Sequence, residues 1–155
     1  MIPEKIAAHL RQHHAGFRHT VHGEAVRAQD LAESEHVSGF RVAKPVIVRV
    51  DGGLAIAVVA AASRVSLSAL EEATGGRVEL APERDFADRF HPCEVGAEPP
   101  LRLFGLPIFV DERLTHEKSL VMPAGTHQDA VELDTHEWIR CEAVQPVANL
   151  GLART

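Results

Sequence analysis

The chain has no apolar run long enough to cross a bilayer as a helix, which takes about 20 residues. The opening residues, Met1-Ile2-Pro3-Glu4-Lys5-Ile6, are charged and amphipathic and lack the apolar core of a secretory signal. The expected compartment is therefore the cytoplasm. Cysteine is scarce, and Cys93 and Cys141 have neither metal-binding nor redox spacing. Both are expected to be reduced, inert thiols. Positive charge is also short, with 16 Lys and Arg against 22 Asp and Glu and a net charge of −6. That argues against gripping nucleic acid by charge alone, while a local patch drawn from Arg41, Lys44, Arg49, Arg64 and Arg77 stays open. A Gly-x-Ser-x-Gly elbow is missing, which argues against a serine hydrolase of that type. Phosphate-loop and dinucleotide fingerprints are missing too, since Gly52-Gly53 and Gly75-Gly76 read as turn and cap. There is no repeat, linker or low-complexity stretch.

What is present is a core. With 45% apolar residues in 155, the composition fits one globular domain over residues 1–155. Residues 3–14 read as an amphipathic helix with Pro3 at its first position and Gly16 as its stop. Phe17–Val21 reads as a strand and Ala25–Ala32 as a second helix. Arg41–Asp51 and Leu54–Ala61 read as a hairpin about Asp51-Gly52-Gly53, because glycine accepts the positive φ of tight hairpin turns. Ser68-Ala69-Leu70-Glu71 reads as a capping box, and the helix it opens stops at Gly75-Gly76. Val78–Leu80 is a short strand, and Pro82 opens a short helix carrying Phe86 and Phe90 toward the core. His91–Leu106, rich in Pro and Gly, reads as a loop. Strands are expected at Pro107–Asp111, Ser119–Met122, Ala130–Leu133 and Ala143–Val147. Asp134-Thr135-His136-Glu137 caps a helix through Trp138 and Ile139, and the tail after Leu150 is expected to fray. Strands interleaved with short helices make one mixed α/β domain.

Three places carry chemistry. Val46, Val48 and Val50 alternate with Ile47, Arg49 and Asp51, the period of a strand with one face buried. Lys44 has the parity of the valines, so its side chain points to the inner face, where a lysine is costly unless it serves a partner or pocket. Pro45 suits a strand start, edge or bulge. The second place is Gly96-Ala97-Glu98-Pro99-Pro100, where glycine lets backbone approach a ligand and the double proline stiffens the loop. The third is Ala124-Gly125-Thr126-His127-Gln128-Asp129, a glycine loop whose hydroxyl, imidazole and carboxylate can position water or bind an adenosine; the bland alternative is a polar turn bonded to its own backbone.

In this order and spacing the Ala-Lys-x-Val-x-Val strand, the hairpin, the Gly-x-x-x-Pro loop, Val110-Asp111 and the Ala-Gly loop before Val131-Glu132-Leu133 resemble the YbaK/prolyl-tRNA synthetase-associated editing domain family. The resemblance runs from about Phe17 to Val147. It implies a curved mixed β-sheet approaching a barrel, flanked by short helices. It also implies a trans-acting aminoacyl-tRNA deacylase that cleaves a small mischarged amino acid, of alanine or cysteine type, from tRNA, with proline tRNA first. The matching lysine, Lys44, is then catalytic, with His127 as a candidate general base. Gly96, Ala97, Pro100, Gly125, Thr126 and Asp129 border the substrate, with loop N–H groups expected to hold the oxyanion, and His36 is a candidate at the pocket mouth. Glu98-Pro99 departs from the small residues frequent in the family. Expected partners are the acceptor end of an aminoacylated tRNA and a synthetase, without a membrane; no cofactor and no metal are expected, and the chain is expected to be a monomer.

Two other readings stand beside this one. The same pocket can bind an aminoacyl adenosine or another small ligand without turnover, as a module docked on a synthetase, or the chain can be an esterase acting on small metabolites. Ten histidines invite a metal reading. His9 and His13 lie four apart on one helix face, but Leu10 stands where the zinc-protease motif has glutamate, and no third ligand is evident. His13-His14 and His19-x-x-His22 are incomplete in the same way, so surface histidines are expected.

Overall fold

The computed structural model describes residues 1–21 and 41–153. The helix expected at Ala25–Ala32 and the candidate His36 lie outside these residues. The first helix, α1, runs Glu4–His13 after Pro3, which is preset for a helix start. It ends at His14, whose extended backbone (φ −117°) breaks the helix before Gly16 is reached. Ile6 and Leu10, one turn apart, fix its buried face.

Strands β1 (Phe17–Val21), β2 (Ala43–Val50) and β3 (Gly53–Ala60) follow. β2 and β3 are the hairpin expected from Asp51-Gly52-Gly53, with Val50 opposite Gly53 and Ala43 opposite Ala60. Both turn residues hold positive φ, Asp51 at 51° and Gly52 at 83°. The Asp51 carboxylate also accepts the Arg77 N–H at 2.9 Å, which ties the turn to β5 (Val78–Leu80). Between them lie β4 (Ser63–Val65), which the sequence did not announce, and α2 (Leu67–Thr74). The cap of α2 is Ser66, whose hydroxyl accepts the Ala69 N–H, rather than Ser68. Glu71 accepts the Val78 N–H instead of closing a capping box. Gly75 ends the helix in the left-handed region (φ 75°), as expected.

After the short helix α3 (Glu83–Phe86) come β6 (Ile108–Asp111), β7 (Ser119–Pro123), β8 (Asp129–Asp134), α4 (Thr135–Cys141), β9 (Gln145–Val147) and β10 (Gly151–Ala153). Asp134 caps α4 by accepting the Glu137 N–H. The tail expected to fray beyond Leu150 is instead the strand β10, paired antiparallel with β4. Leu150 is fully buried ahead of it, which anchors the chain end.

The main sheet has the order β5-β2-β3-β6-β9, with β3, β6 and β9 parallel and the rest antiparallel. A second sheet, β1-β8-β7, meets it through the parallel bridge Val42–Val121 and the Val121 N–H on the Arg41 carbonyl. Among the described residues the sheets stay open rather than closing a barrel. Two hydrophobic clusters share β3. Ile56, Val58 and Ala60 enter the larger one with Phe90, Leu101, Leu133 and Trp138, while Ala55, Ala57 and Val59 enter the smaller one with Leu70, Phe109 and Leu150. β2 is likewise covered on both sides, with Ala43 and Ile47 on the larger cluster and Val46, Val48 and Val50 on the smaller. The one-face reading of this strand is therefore corrected: a central strand between two layers reads as a continuous apolar run.

Trp138 is fully buried and its indole N–H donates to the Pro100 carbonyl at 3.0 Å, locking α4 to the proline loop. Trp138→Phe keeps most of the ring but strands that carbonyl, so it is expected to cost about 1–3 kcal/mol. Urea unfolding reads this directly, and an unchanged midpoint would rule the bond out as a structural tie.

Candidate functional site

Lys44 enters at the start of β2, directly across from Val59. Its side chain is half-buried, and its ammonium donates to the Ser63 carbonyl in β4. Val59 belongs to the smaller cluster, so Lys44 stands on that face, in line with the valines as its parity predicts. Pro45 lies between the Val42 bridge to Val121 and the segment Val48–Val50 that pairs with β5, where a residue without an N–H is tolerated.

The two polar loops come together on the other side. The Gly125 N–H donates to the Ala97 carbonyl at 2.8 Å, and the Gly125 carbonyl accepts the Glu94 N–H at 2.9 Å. His127 adds two bonds: its backbone N–H donates to the Glu94 carboxylate at 2.7 Å, and its ring Nε2 donates to the Val95 carbonyl at 2.6 Å. A carbonyl only accepts, so in this bond the His127 ring donates through Nε2. Gly125 holds φ 98°, and a Cβ there would stand 2.8 Å from both Pro3 Cδ and Ile6 Cδ1. Glycine is required because α1 lies against this backbone. Leu101 and Ala124, which anchor the two loops, belong to the larger cluster. These contacts join Glu94, Val95 and Ala97 of the first loop to Gly125 and His127 of the second, while the Lys44 bond to Ser63 lies on the opposite face of β2.

The loop N–H groups expected to hold an oxyanion are engaged within the protein. The Gly96 N–H donates to both Glu98 carboxylate oxygens at 3.1 Å, the Ala97 N–H to the Glu94 carbonyl and the Gly125 N–H to Ala97. Asp129, expected to meet substrate, is likewise enclosed. Its carboxylate accepts Thr126 Oγ1 at 2.5 Å, bonds His19 Nε2 at 2.6 Å and pairs with the Met1 ammonium at 2.9 Å. Thr126 and Asp129 thus set the shape of the loop. His19 and Glu94 are site residues the sequence reading passed over. The visible signal for His19 was its place on β1, where Val21 pairs with Asp129 and the alternation puts His19 on the same face.

Burial pushes the Glu98 carboxyl up, against the pull of the backbone N–H bonds. Cys93 is pushed up to about 12, first by burial and then by the nearby Glu98, which makes it a poor nucleophile, as expected of an inert thiol. The candidate basic patch divides. Arg49 pairs with Asp85 at 3.3 Å near the hairpin turn, and Arg41 pairs with Glu132 at 2.7 Å before β2 begins. Eight residues of strand put them about 26 Å apart. Arg64, next to Ser63, shares the Lys44 end of the sheet. A cavity of about 140 Å³ is lined by Ala60, Asp111, Arg113, Leu114 and Glu117. Among the described residues no helix is long and apolar enough to cross a membrane.

This arrangement of strands, lysine and glycine loops has a clear parentage. The aminoacyl-tRNA editing domain family matches residues 22–141, and the chain belongs to that family. No curated protein matches it. Among solved structures it is similar to the hypothetical protein APE2540, at 18% identity and a TM-score of 0.84, covering 96% of this chain and 99% of that one. It is also similar to a protein described as a candidate trans-editing enzyme for prolyl tRNA synthetase, at 16% identity and a TM-score of 0.81, covering 98% and 96%. A signal transduction candidate from Marinobacter aquaeolei VT8 shares the fold at 14% identity and a TM-score of 0.73, over 94% of this chain and 30% of its own. At such identities these structures show the shared fold.

Burial alone would raise the Asp129 carboxyl, but the bonds from Thr126, the Met1 ammonium and His19 outweigh it and hold the group below the ordinary carboxylate range. A carboxylate depressed on folding stabilises fully above its unfolded pKa, about 3.9, and loses that contribution as pH falls through the folded value. Asp129→Asn is therefore expected to lower stability at pH 7 and to flatten its acid dependence below about pH 4. Thermal unfolding across pH 2–7 (roughly the carboxylate range) tests this, and parallel curves for mutant and wild type would refute it.

Proposed function

We propose that this editing domain acts in trans as a deacylase, cleaving the ester between a small wrong amino acid and the 3′ end of a tRNA. Alanine or cysteine on proline tRNA is the first substrate to try, and the scheme uses no metal and a monomer. The observation that carries the reading is Lys44, half-buried at a strand start with its ammonium aimed by the Ser63 carbonyl, in a chain of the editing family. An ammonium has three rotatable donors, so it can hold a substrate or phosphate oxygen alongside a protein carbonyl. As water attacks the ester, the carbonyl oxygen gains negative charge, and a positioned cation lowers that barrier. His127 is the candidate base. Lys44 stands at the very start of β2, and the scheme has the substrate span that strand end, so that the stiff Gly96–Pro100 loop, clasped to Gly125 on the other face, serves as a steric sieve for the amino acid, since an editing site selects by size. Arg64 at the Lys44 end, and His36 in the segment before it, are candidates to meet the acceptor end.

The second reading, binding without turnover, is favoured by one observation: the Gly96, Ala97 and Gly125 N–H groups already have partners, so an oxyanion would depend on Lys44. A panel of mischarged tRNAs at catalytic protein concentration separates the two. Lys44→Ala is expected to lower kcat/KM at least ~100-fold, about 2.7 kcal/mol of transition-state stabilisation. His127→Ala is expected to remove the acidic limb of the pH–rate profile, where a general base is lost to protonation, if the ring takes the proton, and to change only KM if it lines the pocket. Absence of turnover on every tRNA, by folded wild-type protein, would sink the deacylase reading and leave the binding module.

A further inference from the structure

The two ends of the chain meet at a cluster that the proposed reaction does not use. His9 on α1, His14 just after it and Glu142 just after α4 bring their side chains together. His9 Nε2 lies 3.0 and 2.9 Å from the two Glu142 carboxylate oxygens, and His14 Nε2 lies 2.6 Å from one of them. The donor atoms of all three lie within 4.8 Å of one another. The side chains of His14 and Glu142 are fully buried and that of His9 is 12% exposed. This corrects the expectation of surface histidines. It also changes the pairing: the partner of His9 is His14 rather than His13, whose ring only packs against that of His9 at 4.5 Å. The missing third ligand comes from 128 residues further along the chain.

The hydrogen bonding of His14 is incomplete in a way that points to a ligand. Its Nδ1 is buried without a hydrogen-bond partner, although a Glu137 carboxylate oxygen stands 3.4 Å away. A neutral ring that gives its one proton to Glu142 turns a bare lone pair toward Glu137. Two arrangements remove the conflict. One is an imidazolium bridging both carboxylates. The other is a cation on Nε2, which obliges the proton onto Nδ1, facing Glu137. The second is the carboxylate–histidine–metal geometry that orients metal-bound imidazoles. It also relieves Glu142, which otherwise receives two imidazoles and the Arg102 N–H at 2.7 Å.

We infer that His9, His14 and Glu142 form a binding site for a divalent cation of the zinc type, with Glu137 orienting His14 and water reaching the fourth position past His9. Two imidazoles and a carboxylate are a zinc donor set, whereas magnesium and calcium take oxygen ligands. Zinc bonds of about 2.0–2.2 Å in a tetrahedron separate ligand atoms by roughly 3.3 Å, so the cluster need open by less than ~1 Å. The ion would staple α1, which lies against Gly125, to α4, which holds the Pro100 carbonyl through Trp138. Its role is to fix the frame of the loops, at a distance from Lys44.

Chelator-treated protein titrated with zinc chloride, by calorimetry and by thermal unfolding, tests the site without reference to tRNA. One equivalent of zinc per chain is expected, with the Tm raised on the order of 5–10 °C at a hundredfold excess over Kd and no such rise with magnesium. His9→Ala, at the exposed edge of the site, is expected to weaken zinc binding at least tenfold, while His13→Ala leaves it intact. Cobalt substitution adds a reading of geometry, since a tetrahedral site gives an intense visible band. No zinc binding would overturn the proposal and leave a bridging imidazolium. Binding that survives His9→Ala, or that His13→Ala removes equally, would overturn it as well, by placing the ion elsewhere.

Discussion

The burial of β3 on both faces is the constraint on which the rest depends. A strand covered on two sides can carry no charge and little polarity, and Ala55 to Ala61 are all apolar and buried. Alternate residues then feed two separate clusters, so each neighbour of β3 must also present apolar groups to two layers. β2 does so through Ala43 and Ile47 on one side and its valines on the other. β6 does so through Ile108 and Val110 on one side and Phe109 on the other. Polar chemistry is thereby pushed to the ends of these strands. Lys44 stands at the start of β2, and Asp111 ends β6 with its buried carboxylate paired to Arg113 at 2.9 Å.

The larger cluster places the loops. Leu101 and Ala124 are buried in it, one beyond the proline loop and one before the glycine loop, so the two segments are held side by side before they bond to each other. The clasp follows from that proximity. Gly125 donates its N–H to the Ala97 carbonyl and accepts the Glu94 N–H at a position that only a residue without Cβ can fill, because Pro3 and Ile6 at the start of the chain's first helix occupy the space. A stiff, internally bonded loop suits a sieve, which works by excluding shapes and loses selectivity when its walls yield. The same bonding gives the loop N–H groups partners within the protein.

Local rules made much of this legible. The hairpin was readable because Asp51-Gly52-Gly53 has one favourable conformation, and the strand at Phe17–Val21 and the cap at Asp134 followed from short-range chemistry. The failures share a cause. β4, β10 and the two-faced burial of β2 depend on what packs against them, and a three-residue strand such as Ser63–Val65 has no period to detect. Gly151 is glycine because Asp111, Arg113 and Ser63 converge on it from other elements. The site divides in the same way. The residue types at Lys44, Gly96 and Gly125 marked their segments, but the engagement of Asp129 by His19, and of Glu142 by two histidines, joins positions more than 100 residues apart.

That division separates Lys44 from the two loops. Lys44 takes its place from its strand register and donates to the Ser63 carbonyl, and neither of these ties involves the loops. The loops hold each other and rest on the first helix and α4. Glu98 illustrates the independence. It is a buried acid within the Gly-x-x-x-Pro segment, and its carboxylate turns back onto the Gly96 N–H. In the proposed deacylase, this separation would let the loop change while the lysine keeps its place at the start of β2.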